Sequence, residues 1–121
     1  MSATAWLAFL AAAAIGALAR YLVESHTSGA FPWGTFVVNI TGCVTLGLLT
    51  GFGLYHGLDP TVRTVIGTGG IGAYTTFSTF TFETVRLAEE GSVDKALRNA
   101  AGSFLAGLAA ASAGLALAAA L

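Results

Sequence analysis

The chain has 121 residues, enough for one domain, and only 11 of them carry charge (five basic and six acidic). Charged residues make up 9% of the chain and hydrophobic residues 55%, whereas a soluble domain has about 25% charged residues. The net charge of −1 excludes the basic surface of a nucleic-acid-binding protein. The single cysteine, Cys43, excludes an intramolecular disulfide and a thiolate metal cluster. This composition indicates an integral membrane protein.

The charged residues separate four uncharged stretches of the sequence. Crossing the hydrocarbon core takes about 20 apolar residues in a helix, so each stretch predicts one transmembrane helix. We expect an all-α membrane protein, a single domain over residues 1–121. Its predicted helices lie near residues 4–23, 33–55, 61–86 and 97–120.

The first stretch has one alternative, a cleaved signal peptide, because Ala17-Leu18-Ala19 resembles a cleavage site. Residues 1–19 contain no Lys or Arg, however, so the positively charged segment of a signal peptide is missing. We therefore expect the first stretch to be a membrane helix.

The charged loops give only a small preference for one orientation in the bilayer. Arg63 lies between the second and third predicted helices, whereas Arg86, Lys95 and Arg98 lie on the opposite side, with Arg20 near a membrane boundary. The positive-inside rule favours the more basic loop on the cytoplasmic side and both termini outside. So small an imbalance permits insertion in both orientations.

The third stretch is predicted to break near the middle of the membrane. Glycine occupies four of the six positions 67–72, and each glycine costs about 1 kcal/mol relative to alanine in a helix interior. We place the break at Gly69, Gly70 and Gly72. Unwound backbone at this depth must be buried in protein or line a water-filled cavity, where half-helix ends attract ions. The alternative is a kink that only allows helices to pack closely.

Hydroxyl and phenyl side chains alternate directly after these glycines. Thr76, Ser78 and Thr79 can donate to an anion without adding fixed charge, and Phe77 and Phe80 lie three residues apart on one helix face. The edge of a phenyl ring is electropositive, so ring edges turned towards a path favour an anion. The whole block predicts an anion pathway, although each residue alone is better explained by helix packing.

Polar side chains in the other stretches provide partners for this segment. Asn39 must find hydrogen-bond partners inside the membrane, either on a neighbouring helix or on a permeating ion. Asn99 and Ser103 share one helix face and are predicted to continue a polar track. Arg20 either extends to the head groups or attracts anions at a pore mouth.

A second subunit is predicted from the small size of the bundle. Gly47 and Gly51 form a G-x-x-x-G pattern suited to close helix packing. Four thin helices in one chain leave too little protein to enclose a selective pore and also bury a broken helix. We therefore expect a two-fold dimer.

Three motifs in this order resemble the Fluc (CrcB) family of small fluoride channels. Residues 16–21 (GALARY) are similar to the motif of the family's first helix, and residues 34–42 (GTFVVNITG) to that of its second. Residues 72–80 (GAYTTFSTF) resemble the signature of its broken third helix, the most specific of the three. Ala73 departs from the glycine common at its position, and Asn99 and Gly107 replace other polar groups often found on the fourth helix.

The resemblance implies an antiparallel, dual-topology homodimer in the cell membrane, whose two pores passively release cytoplasmic fluoride. It implies that ring edges of Phe77 and Phe80 line each pore, that Asn39 donates to the ion, and that Ser103 joins the hydroxyl groups after the break. It also implies a structural sodium ion at the dimer centre, held by backbone carbonyls of Gly72 and Thr75 from both subunits, and no organic cofactor. A paired heterodimer with a paralogous subunit is the alternative assembly.

Other function classes fit the sequence less well. A proton-coupled small multidrug exporter needs a carboxylate near the membrane midplane, and Glu24 and Glu83 lie near the ends of predicted helices. A non-conducting membrane subunit remains compatible with the glycine-rich pattern. The sequence contains neither a nucleophile–base pair nor a metal-ligand cluster, so we do not expect an enzyme.

Overall fold

The computed structural model describes residues 1–27 and 29–121, which contain only helices and their connections. Three helices are long and apolar enough to cross a membrane: α1 (Ala3–Ser25), α2 (Trp33–Tyr55) and α6 (Val93–Ala120). Between α2 and α6 lie α3 (Pro60–Arg63), a π-helical segment (Thr64–Ile71), α4 (Gly72–Tyr74) and α5 (Ser78–Glu89). The all-helical membrane architecture expected from composition is confirmed, whereas a fourth span formed by the α3–α5 region stays a prediction.

The helix boundaries follow local signals in the sequence. Helix α3 begins where Asp59 Oδ1 accepts hydrogen bonds from the N–H groups of Thr61 and Val62, at 2.8 and 3.1 Å. Pro60, at the first helical position, has no N–H that needs a partner. Helices α1 and α6 begin at Ala3 and Val93, slightly before the predicted residues 4 and 97.

Small residues bring α2 and α6 into direct backbone contact. A Cβ atom at Gly114 would lie 2.9 Å from the Leu48 nitrogen of α2 and would also collide with the Val44 carbonyl. Gly47 in turn packs against the backbone of Ala111. The G-x-x-x-G residues of α2 thus allow the two helices to pack closely. Close packing matters in a membrane because the hydrophobic effect does not drive helices together in lipid.

Helix α1 packs against the glycines of the π-helical segment. A Cβ atom at Gly69 would lie 3.0 Å from the Phe9 carbonyl oxygen, and one at Gly16 would collide with the Gly70 carbonyl. A π-helix has i→i+5 hydrogen bonds and is rare in proteins, where it is frequently found at functional sites. Contact with α1 holds this unusual backbone in place.

Large apolar side chains on the outside of the bundle are exposed. Leu7 and Ile15 of α1 are each 68% exposed, and Leu105 of α6 is 63% exposed. Apolar surface on this scale needs lipid or protein to cover it. Together with the three apolar helices, it supports a membrane protein.

Candidate anion pathway

The helical backbone is interrupted between α4 and α5. Thr75 has an extended conformation, with φ −78° and ψ 160°, so helix α4 ends at Tyr74 and α5 begins at Ser78. The residues before Thr75 form the π-helical segment and one short α-helical turn. The interruption therefore lies three residues after Gly72, rather than at the glycines themselves.

Asn39 of α2 holds the backbone at this interruption with both ends of its side-chain amide. Its Nδ2 donates to the Thr76 carbonyl at 2.8 Å, and its Oδ1 accepts from the Thr76 N–H at 2.9 Å. Thr76 is only 7% exposed, so these backbone groups have little access to water. The amide replaces the helical hydrogen bonds that the extended Thr75 removes. One Nδ2 proton is used in this way and the other is left for a further acceptor.

Backbone carbonyls at the interruption are suited to a hard cation. In a continuous α-helix the Thr76 N–H would point at the Gly72 carbonyl, but here it donates to Asn39 instead. The Thr75 carbonyl accepts a hydrogen bond of 3.4 Å from Arg20 Nη1, and a carbonyl oxygen has a second lone pair. Carbonyl oxygens are ligands that hard cations prefer. The carbonyl oxygens of Gly72 and Thr75 are thus ligands of the type that a hard cation takes, and Arg20 lies beside them as a positive charge.

A groove of about 410 Å³ collects most of the predicted pathway residues. It lies where α2, the interrupted segment and α6 meet. Its lining includes seven residues singled out from the sequence: Asn39, Gly72, Thr75, Thr76, Phe77, Phe80 and Ser103. The structure thus brings the amide, the two phenyl rings and the hydroxyl of the last helix to one surface.

The two phenyl rings lie close together beside this groove. The centroids of Phe77 and Phe80 are 6.1 Å apart and the ring planes are inclined by 43°. Phe77 is 79% exposed, so most of its ring has no cover within the single chain. The ring is therefore apolar surface that other residues of this chain leave open at the groove.

The hydroxyl groups after the interruption differ in their surroundings. Thr76 Oγ1 accepts from the Thr79 N–H at 3.1 Å and donates to Thr79 Oγ1 at 3.1 Å, so it caps the start of α5. Ser78 is exposed and lies 3.4 Å from Thr76 Oγ1. Ser78 and Thr79 are absent from the lining of the groove. Thr76 therefore has a structural role as a helix cap, independent of any contact with an ion.

The sequence also singled out Gly69, Gly70 and Arg20, which lie away from the groove. Gly69 and Gly70 face α1, where they permit close packing. Arg20 of α1 reaches the interruption through the Thr75 carbonyl. These residues shape the backbone around the groove without lining it.

Several residues that line the groove are not among those predicted to lie on the pathway. Cys43 and Leu46 lie one and two helical turns after Asn39, so helical spacing from Asn39 could have identified them. Phe104 directly follows Ser103 and is 69% exposed. Gly67 and Ile71 reach the groove through the π-helical winding, which no sequence pattern specified.

Comparison with known proteins matches the chain to one family. A family model described as CrcB-like protein, Camphor Resistance (CrcB), matches residues 7–115. The chain belongs to the CrcB family. This confirms the resemblance drawn from the three motifs, and the family is one of ion channels rather than enzymes.

Curated relatives of this CrcB chain cover almost its whole length. A protein named fluoride-specific ion channel FluC 1 from Streptomyces avermitilis is 47% identical over 91% of this chain and 92% of its own. Proteins of the same name from Frankia casuarinae and Symbiobacterium thermophilum are 46% and 47% identical, each over 93% of this chain and 95% of their own. The similarity therefore extends over more than nine-tenths of each protein.

Proposed function

We propose that the chain forms a passive, fluoride-selective channel that releases fluoride from the cytoplasm. The observation on which this proposal depends is the groove at the helix interruption, where Asn39, Phe77, Phe80 and Ser103 lie together in a chain whose relatives are named fluoride-specific channels. This surface brings hydrogen-bond donors and two phenyl rings together without a Lys or Arg in its lining.

The chemistry of these groups suits a small, strongly hydrated anion. A pore must replace the water around the ion with donors, yet bind it weakly enough for exit. The free Nδ2 proton of Asn39 and the Ser103 hydroxyl are neutral donors, and phenyl edges add a diffuse positive potential. A fixed ammonium or guanidinium group in the narrow part would retain the ion. Arg20, outside the groove, supplies positive charge nearby.

The functional unit in this proposal is an antiparallel homodimer in the cell membrane. The exposed Phe77 ring and the exposed apolar residues around the groove support a second copy as the cover. The carbonyls of Gly72 and Thr75 in two such copies would hold a structural sodium ion. A bound sodium ion would supply positive charge that offsets converging carbonyl dipoles. A paralogous subunit of opposite orientation is the alternative partner.

Ion efflux from liposomes tests this function. The purified protein is reconstituted alone, the liposomes are loaded with potassium fluoride and potassium chloride, and two ion-selective electrodes follow release after addition of valinomycin. Fast fluoride release without chloride release, unchanged by a proton gradient, is the expected result. Fluoride release that requires a proton gradient would indicate a coupled exporter. Folded protein that releases neither ion would indicate a missing partner subunit or a non-conducting role.

A further inference from the structure

Beyond the residues that line the groove, Asn99 of α6 is a buried polar side chain with a defined partner. It is only 2% exposed, and its Nδ2 donates to Thr84 Oγ1 of α5 at 2.8 Å. A buried amide in a membrane helix is costly unless its hydrogen bonds are satisfied. The sequence alone suggested a polar track at this position, but the structure places Asn99 inside the contact between α5 and α6.

Thr84 links Asn99 to the backbone of Phe80 by a second hydrogen bond. The Thr84 hydroxyl accepts from Asn99 and donates its own proton to the Phe80 carbonyl at 2.8 Å. The three groups form a continuous chain of donors and acceptors, and such chains are strengthened by mutual polarisation. Phe80 lines the groove, so the chain connects the last helix to a ring on the proposed pathway.

Apolar packing next to this chain does not define its register. Leu87 of α5 and Ala96 of α6 are 2% and 6% exposed. Leu87 follows Thr84 by one turn and Ala96 precedes Asn99 by one turn, so both lie towards the connection between the two helices. Apolar packing between the two helices is non-directional, so it tolerates sliding and rotation. A directional hydrogen bond between Asn99 and Thr84 fixes the height and rotation of α5, which sets the position of the Phe80 ring.

We propose that Asn99, acting through the Thr84 hydroxyl and the Phe80 carbonyl, is a positioning residue for the pathway and is not itself an ion ligand. This inference rests on the proposed fluoride channel and assigns a separate role to one side chain in it. Loss of any member lets α5 turn relative to α6. The Phe80 ring then moves, and both the affinity for fluoride and the flux fall.

The test is a double-mutant cycle between α6 and α5. Asn99→Leu removes the donor at similar volume, and Thr84→Val removes the hydroxyl while keeping the shape. Each variant should lower fluoride flux per folded dimer about fivefold, the size expected for one interhelical hydrogen bond, and should raise the half-saturating fluoride concentration. The double variant should conduct as much fluoride as the less active of the two single variants, because both substitutions break the same hydrogen-bond chain.

Two controls separate positioning from general destabilisation. Thr84→Ser keeps the hydroxyl and should restore wild-type flux and half-saturation. Thr45→Val removes another threonine hydroxyl that donates to a helical carbonyl at 2.8 Å, but on the exposed side of α2, and should leave both values unchanged. The same cycle measured by thermal unfolding should show coupling between Asn99 and Thr84 without reference to transport.

Three results would overturn the proposal. If the loss of flux in the double variant equals the product of the losses in the two single variants, Asn99 acts on the ion without Thr84. A lower maximum flux at unchanged half-saturation would show a merely structural role. Additive effects on thermal unfolding would show that the two side chains are not coupled at all. A wild-type protein without fluoride flux would instead refute the proposed channel, while the unfolding cycle would still decide whether the hydrogen-bond chain exists.

Discussion

The α2–α6 pair and the interrupted segment between α3 and α5 use glycine in opposite ways. In the pair, glycine leaves both helices regular and allows their backbones to touch, as at Gly114 and Val44. In the interrupted segment, glycines accompany a π-helical winding that ends at an extended Thr75. One region is a rigid support, and the other exposes backbone and side chains at a groove.

The difference shows that glycine content alone does not locate a helix break. Helix α2 contains Gly34, Gly42, Gly47, Gly51 and Gly53 and runs without interruption from Trp33 to Tyr55. The interruption lies instead where a side-chain amide from another helix replaces the missing backbone hydrogen bonds. Asn39 supplies these bonds to Thr76, and the conformation is stable because its polar groups are satisfied.

The largest effect is expected from a methyl group placed between the paired helices. Gly114→Ala puts a Cβ atom 2.9 Å from the Leu48 nitrogen, in contact with backbone that cannot rotate away. Overpacking of this kind costs about 3 kcal/mol, or more than a hundredfold in the folded fraction. Thermal unfolding in detergent measures it. Gly102→Ala, the same change on the same helix with open space around it, should be neutral or stabilising. Equal behaviour of the two variants would contradict close backbone packing at Gly114.

A smaller effect, on flux more than on assembly, is expected at the interruption. Asn39→Leu leaves the Thr76 N–H and carbonyl without their partner, at about 1–3 kcal/mol for each buried group. The segment should relax, and fluoride flux should fall about tenfold or more while the dimer still forms. Liposome efflux and size-exclusion chromatography measure the two quantities, with Thr45→Val as the control on the same helix. Wild-type flux in Asn39→Leu would remove Asn39 from the pathway.

The smallest effect is expected from removal of sodium. If the Gly72 and Thr75 carbonyls bind sodium in the proposed dimer, replacing sodium by N-methylglucamine should lower the unfolding temperature by a few degrees. Since Arg20 donates to the Thr75 carbonyl, Arg20→Gln should increase the sodium dependence by removing a competing positive charge. If the unfolding temperatures of the wild type and of Arg20→Gln do not change when sodium is removed, the result argues against the cation site.

Much of the fold follows from the sequence because charge placement and apolar length constrain membrane helices. Helix α2 occupies the predicted residues 33–55, and the all-helical class is as expected. The glycines at 67–72 signal an irregular segment, but they do not show that residues 64–71 form a π-helix. Such winding depends on contacts with α1 at Phe9 and Gly16, which are distant in sequence.

The groove was partly predictable for a related reason. Phe77 and Phe80 share a helical spacing, and Asn39 is the one amide of an apolar stretch, so local pattern singles them out. The partners of polar groups are not local. Asn39 binds Thr76 across 37 positions, and Asn99 binds Thr84 across 15 positions around a turn. Which polar side chains hold helices and which can meet an ion is therefore decided by tertiary structure.

The measurement that tests the proposed pathway most directly is a comparison of two phenylalanines in the same efflux assay. Phe80 lines the groove, whereas Phe82 of the same helix is 65% exposed and absent from its lining. We expect Phe80→Ile to reduce fluoride efflux at least tenfold, with dimer and unfolding temperature retained, and Phe82→Ile to conduct as the wild type does. Equal fluoride efflux from both variants would contradict an anion path along the interrupted segment.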